Sequence, residues 1–326
     1  MRTMRGGAKM KKESFEKEYE TLVEVYEEQG GEKNTFKNEK VSHLLIEQNR
    51  ILSANSTKGI FMDVNKIENG VKIKMRVEKG FKIENPVHLC FGILPKEGLQ
   101  EIYPEIEVED NASVKLIAHC LFPNAVKVKH YMDGNFKVGN GAYLEYSETH
   151  FHGDNGGIEV IPRLKVEVGT HGTLRMDFGI TSGRVGVLDI DYDIKARDYS
   201  NVDVNTRIFA RENDTVKIKE GVNLDGEYAK SVIKSRVALR DKAVCEITNI
   251  TNGNKAYSRG HVDCTEIVQG DARASAIPIV SVAHPLAKVT HEAAIGSIDK
   301  KELETLMARG LTKEEAVETI IHGMLR

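Results

Sequence analysis

From about residue 60 the chain alternates apolar and polar positions. Val71, Ile73, Met75 and Val77 are separated by Lys72, Lys74 and Arg76. Successive side chains of a strand point to opposite faces, so this pattern predicts half-buried strands. It continues, with interruptions, to about residue 283. The interruptions are Asp110-Asn111, Gly139-Asn140-Gly141, Gly169-Thr170-His171-Gly172, Asp198-Tyr199-Ser200, Glu212-Asn213-Asp214, Asp241-Lys242 and Gly270-Asp271. Gly, Asn and Asp tolerate the backbone conformations that tight turns demand. The last apolar residues before these turns are Val108, Val138, Val168, Ala196, Ala210, Leu239 and Val268, giving steps of 30, 30, 28, 14, 29 and 29 residues. A period of this size sustained so long marks a solenoid. The single half-length step implies that two strand–turn units make one coil. No helical period lies between the strands, which selects a β-helix over leucine-rich or helical solenoids. The alternative is a twisted β-sandwich or barrel, with turns expected about every 8–12 residues.

Helical spacing appears at both ends. Phe15, Tyr19, Leu22, Val23 and Tyr26 fall on one face of a helix expected over residues 10–29, and Gly30-Gly31 stops it. Near the other end, Asp299 with Glu302 and Thr312 with Glu315 have capping-box spacing. Apolar residues follow each cap, and Gly310 separates the two helices. The expected organisation is an N-terminal helical segment (1–59), a mainly β core (60–285) and a C-terminal helical hairpin (286–326). The hairpin's apolar stripe, Leu303, Leu306, Ile320 and Ile321, either caps the open end of the solenoid or docks a partner.

Composition narrows the function. The chain has 326 residues, 40% hydrophobic and 29% charged, with a formal net charge of -3, which argues for a globular fold and against nucleic acid or anionic lipid as partner. Aromatic residues are only 6% and Trp is absent, which disfavours a surface built to stack on sugars or bases. No apolar run is long enough to span a membrane. The basic start, Met1-Arg2-Thr3-Met4-Arg5, lacks the apolar stretch of a secretory signal. Cys90, Cys120, Cys245 and Cys264 are widely spaced with no CxxC pair, as in a reduced cytoplasmic protein. GxxxxGK[ST] and GxSxG are both missing, which removes one nucleotide-hydrolysis route and the common hydrolase elbow.

Three segments suggest metal chemistry. His261-Val262-Asp263-Cys264 offers a soft thiolate near an imidazole, although an odd separation puts His261 and Cys264 on opposite faces of a strand. Thr290-His291-Glu292-Ala293 supplies an imidazole and a carboxylate before the hairpin. Glu148, His150 and His152 share a strand face and can chelate one ion, with Asp154 in the turn beyond. Each has a plainer reading: a buried thiol acting as a small hydrophobe, a solvated polar pair, and a polar outer face leading into a loop.

Gly80-Phe81-Lys82-Ile83-Glu84-Asn85-Pro86-Val87 resembles the G-V-x-V-E-x-P-V strand that opens the core of SufB/SufD proteins. His291-Glu292-Ala293-Ala294-Ile295-Gly296-Ser297-Ile298, followed by Leu306-Met307-Ala308-Arg309-Gly310-Leu311, resembles the family's closing HEA-x-x-G-x-I … L-x-x-R-G-L signature. The likeness runs from about residue 60 to the C-terminus. It implies a right-handed parallel β-helix flanked by helices, dimerising through the β-helix and carrying a SufC-type ABC ATPase on its C-terminal helices. It also implies a non-enzymatic scaffold for a transient iron–sulfur cluster, served by a sulfur donor and unloading to apo-protein acceptors. Cys264, Glu292 and His291 match the family's SufB-type functional positions. SufD-type chains lack the cysteine and carry His-Gly for His-Glu, so the resemblance is to SufB. The long N-terminal extension of larger SufB proteins, with its cysteines, has no counterpart here. The expected assembly is a homodimer, with a heterodimer with a SufD-like paralogue as the alternative. A ligand-free adaptor for the ATPase and a β-helix polysaccharide-active enzyme are the competing functions.

Overall fold

The computed structural model describes residues 5–326, with side chains from residue 15; the basic start Met1-Arg2-Thr3-Met4 lies outside them. In chain order it runs α1 (Arg5–Glu28), β1 (His43–Glu47), β2 (Arg50–Asn55), β3 (Ile60–Ile67), β4 (Gly70–Val77), β5 (Val87–Gly92), β6 (Glu97–Val108), β7 (Ser113–Phe122), β8 (Lys127–Val138) and β9 (Tyr143–His152). It continues β10 (Ile158–Val168), β11 (Thr173–Ile180), β12 (Val187–Ala196), β13 (Asn201–Ala210), β14 (Thr215–Leu224), β15 (Lys230–Leu239), β16 (Val244–Gly253), β17 (Arg259–Val268), β18 (Arg273–Val282) and β19 (Lys288–Gly296). The helices α2 (Lys300–Ala308) and α3 (Lys313–Met324) close the chain.

The strands form two sheets, in the orders β19-β17-β15-β13-β11-β9-β7-β5-β1-β2 and β18-β16-β14-β12-β10-β8-β6-β4-β3. From β4 onward each strand pairs in parallel with the next but one, so each coil gives one strand to each sheet: a parallel β-solenoid of about eight turns. The irregular 14-residue step now has a cause. Val108, Val138, Val168 and Ala196 are cross-strand neighbours at the ends of strands in one sheet. Ala210, Leu239 and Val268 stack at the ends of strands in the other. The step crosses from one corner of the coil to the opposite one.

Alternation sets the core. In β8 and β14 every second residue is buried in the lumen between the sheets. The outward residues form ladders between coils, such as Lys115–Glu145 at 2.8 Å and Arg197–Glu167 at 2.6 Å. Such exposed pairs contribute little individually. At one corner the left-handed backbone conformation recurs coil after coil, at Asn111, Gly141, His171, Tyr199, Tyr228 and Tyr257. The last four rings stack at 4.7–5.0 Å, which offsets part of the strain of a bulky residue at positive φ.

The helix expected over 10–29 is α1, which covers the outer face of the first coils. Its Leu22 and Tyr26 pack with Phe36, Leu45, Cys90 and Leu121, so β1 and β5 are buried on both faces. Phe15, at the start of the expected stripe, is exposed. Regular β-structure extends past the 60–285 span at both ends: β1 pairs with β5, and β19 pairs with β17. The helical hairpin is correspondingly shorter than 286–326. Both expected caps form, with Asp299 accepting from the Glu302 amide and a full capping box at Thr312–Glu315.

Candidate functional site

A solenoid lumen is normally filled with aliphatic side chains, because a polar group there loses water and must find partners inside. Two stretches of this lumen are polar. The first lies where β6, β7, β8 and β9 face one another. Glu148, His150 and His152 have the same parity as Leu144 and Tyr146, so β9 carries them inward. In register beside them are Ala118, Cys120 and Phe122 of β7. From the opposite sheet come His130 and, paired to it, Gln100. The polar members of this group are at most 3% exposed. The reading of Glu148, His150 and His152 as a polar outer face is therefore wrong; Asp154, in the turn, is exposed.

The hydrogen bonds form one chain. Gln100 Nε2 donates to the carbonyls of Gln48 (2.8 Å) and Gly92 (3.3 Å), which leaves Gln100 Oε1 as an acceptor 3.0 Å from His130 Nδ1. His130 is thus protonated on Nδ1 and presents a bare Nε2 to Cys120 Sγ at 3.7 Å. Cys120 Sγ donates to Glu148 Oε1 at 3.8 Å. Tyr146 donates to Glu148 Oε2, and His150 Nε2 lies 2.7 Å from Glu148 Oε1. His152 Nδ1 donates to the Arg184 carbonyl, which leaves its Nε2 to accept from His150 Nδ1 at 3.3 Å. The Arg184 corner is fixed by a buried pair with Asp214 at 2.8 Å. Gly183 approaches so closely that an added Cβ would lie 1.7 Å from the His152 carbonyl oxygen.

Burial dominates the electrostatics here. It pushes His130 and His152 down to about 3, with the neighbouring His150 adding to both shifts, so both are neutral. It pushes the Cys120 thiol well up, and Glu148 reinforces this. Burial also raises Glu148, but hydrogen bonds from His150 and Tyr146 and the charge of His150 outweigh it, and the carboxyl is held low. Among the described residues, Cys120, His130 and Glu148 are the one group of three ligand-bearing side chains close enough to share an ion.

The second polar stretch leads to the C-terminal end. Thr206 and Ser235 donate to Glu220, Asn249 donates to Ser235, and Asn249 Nδ2 lies 2.9 Å from Cys264 Sγ. Burial pushes Glu220 up to about 7 despite those hydrogen bonds. Cys264 is raised to about 11 by burial first and by the nearby Glu266 second. Neither carboxylate oxygen of Glu266 has a partner, and burial pushes this group to about 7.

The residues named from sequence divide by strand parity. Val262 pairs with His291, Asp263 with Glu292 and Cys264 with Ala293. Cys264 and His291 therefore share the lumen side, where His291 Nε2 is buried without a partner. Glu292 lies on the outer side with Asp263 and His261, whose Nδ1 is 2.9 Å from Thr290 Oγ1. Cys120 and His130 were missed. Cys120 passes for core filler, and His130 belongs to no motif; their parity with Leu116 and Met132 is the signal that places them inside. Of the hairpin stripe, Ile321 is not available to a partner, because it packs with Val317 and Leu325 on Phe209 and Ala238 of the solenoid. Leu303 borders the same cluster, while Leu306 and Ile320 are half-buried and Met307 is exposed. No described helix is long and apolar enough to cross a membrane.

Cys264 sits on β17, one strand in from the edge strand β19 that carries His291, and the chain as a whole is matched by a known family. The family model for the SufBD core domain of SUF-system FeS cluster assembly matches residues 100–324. The chain belongs to the SufBD family. A SufBD family protein of iron–sulfur cluster assembly from Methanocaldococcus jannaschii is 43% identical over 286 residues, covering 88% of this chain and 90% of the relative. Another from Pyrococcus horikoshii is 34% identical over 309 residues, covering 95% and 94%. The assembly protein SufB of Bacillus subtilis is 21% identical over 252 residues, 76% of this chain and 54% of that protein. SufBD membership supports a scaffold role in iron–sulfur cluster assembly.

Proposed function

We propose that the chain is a SufB-like cytoplasmic scaffold and not an enzyme. On this reading two copies pair through the C-terminal ends of their solenoids and build a transient iron–sulfur cluster between them. The observation that carries it is the last coil. β18 and β19 each have a partner on one side only, and Ile277, Ile279, Val280, Val282, Leu286 and Ile295 around them are exposed. Unpaired edges with apolar flanks favour association. Cys264 and His291 face the lumen at this end, so each copy supplies one thiolate and one imidazole. Glu292, on the outer side of an edge strand, reaches the cluster only through the packing of the second copy, which gives it a lesser role. A mixed thiolate, imidazole and carboxylate set binds more exchangeably than four thiolates, as a scaffold that must release its cargo requires. A SufC-type ATPase docks on Leu306, Met307 and Ile320, the apolar residues of the hairpin left accessible when α3 packs on the body.

Anaerobic reconstitution with iron and sulfide tests this. Cys264→Ser should remove the cluster absorption without unfolding the chain, and Glu292→Ala should weaken it. Leu306→Glu should abolish co-purification of the ATPase. A normal cluster spectrum in folded Cys264→Ser protein overturns the assignment.

A further inference from the structure

We propose that Cys120 Sγ, His130 Nε2 and Glu148 Oε1 form a second, separate site inside the solenoid lumen, for one divalent transition-metal ion of the Fe²⁺ or Zn²⁺ class. Ordinary bond lengths to sulfur, nitrogen and oxygen put the ligand atoms of a tetrahedral ion about 3.5 Å apart. Cys120 Sγ lies 3.7 Å from His130 Nε2 and 3.8 Å from Glu148 Oε1, and all three atoms fall within 4.8 Å of one another. Small side-chain movements close this triangle onto an ion.

The surroundings are arranged as a metal site requires. A ligating histidine commonly donates its other ring nitrogen to a fixed acceptor, which sets the tautomer. Gln100 does this for His130, and two backbone carbonyls fix the orientation of its own amide. Glu148 is held by Tyr146 on its other oxygen. His150 Nε2, 2.7 Å from Glu148 Oε1, borders the site as a candidate fourth ligand, and His152 and the Arg184 carbonyl hold its ring.

Charge also suits the site: a thiolate and a carboxylate together match the two positive charges of the ion, which matters because an uncompensated buried charge is costly. A set of one sulfur, one nitrogen and one oxygen suits Fe²⁺ or Zn²⁺ better than the all-oxygen preference of Mg²⁺ or Ca²⁺. Cys120, His130 and Glu148 are 1–2% exposed, so the ion is captured as the chain folds and exchanges slowly afterwards.

The site is independent of the cluster reading at Cys264, and the test separates the two. The full chain is expressed with Fe²⁺, Zn²⁺ or Co²⁺ supplied singly and purified anaerobically. Metal is then counted per chain after dialysis against a chelator. About one ion per chain should remain in at least one of the Fe²⁺ and Zn²⁺ arms, and the arm that fills names the ion. The Co²⁺ form should show a thiolate-to-cobalt charge-transfer band. Cys120→Ser should remove the band, and Glu148→Gln should lower retention at least tenfold. Cys264→Ser and Cys90→Ser should keep both ion and band. Far-UV circular dichroism verifies folding; if Cys120→Ser fails to fold, His130→Gln takes its place. No retained ion in the Fe²⁺ and Zn²⁺ arms, or an unchanged band in the folded variant, overturns the proposal, as does loss of the ion with Cys264→Ser.

Discussion

The two ends of the solenoid are built from the same repeat and finished in opposite ways. At the N-terminal end the pairing direction reverses: β2 runs antiparallel to β1, and β3 antiparallel to β4. The edge strand β3 then carries Asp63, Asn65 and Lys66, and α1 seals the outer face over β1 and β5. Charged residues on an edge discourage further pairing. At the C-terminal end the parallel order stops at β18 and β19, and large apolar residues remain exposed there. Of the seventeen exposed large hydrophobics among the described residues, six lie between Ile277 and Ile295. A coil that covers only one side of its neighbour leaves its own far side unfilled. The first end is closed by its own chain, and the second is left open.

Substitutions at the two ends should separate stability from assembly. Ile46→Ala, in the sealed end, removes a fully buried side chain and should cost about 3–4 kcal/mol in denaturant unfolding. Between the ends, Glu220→Gln tests the polar lumen. Glu220 is raised from 4.5 to about 7, so the folded state holds a proton that the unfolded state gives up. The carboxyl form is therefore most favourable below pH 4.5, and its contribution falls as pH rises to about 7. The non-titrating Gln variant should gain on the wild type by about 3 kcal/mol between pH 4.5 and pH 8, read from melts at both values. No pH dependence in that difference would mean that Glu220 is solvated. At the open end, Ile279→Asp should weaken self-association at least tenfold in analytical ultracentrifugation, about 1.4 kcal/mol. Ile279→Ala should change the stability of the isolated chain by less than about 0.5 kcal/mol. If Ile279→Ala proves as costly as Ile46→Ala, the end is covered by its own chain and the contrast fails.

Period and parity carried much of the structure in plain view. The near-30-residue spacing of Val108, Val138 and Val168 is the coil, and both helix caps of the hairpin are in the chain where they form. Parity also separates Cys264 from His261, as the odd spacing implies. The same rule, carried to Glu148, His150 and His152, points inward with Leu144; residue polarity suggested the opposite because isolated strands put polar side chains in water. What parity could not give is who meets whom across the lumen. Cys120 and His130 are ten residues apart on strands of different sheets, and only the stacking of coils sets them beside Glu148.

The sequence alone therefore determined the repeat, the face each side chain takes and the family resemblance, because these depend on local alternation and on motifs within one coil. The tertiary structure decided which faces are enclosed. It enclosed Glu148, His150 and His152 in the lumen beside Cys120 and His130, spent Ile321 on holding α3 to the body, and left β18 and β19 open. Enclosure depends on residues about 30 positions apart packing on the same coil, and on the opposite sheet closing over them. That information lies in the sum of many weak pairings, not in any single segment of the chain.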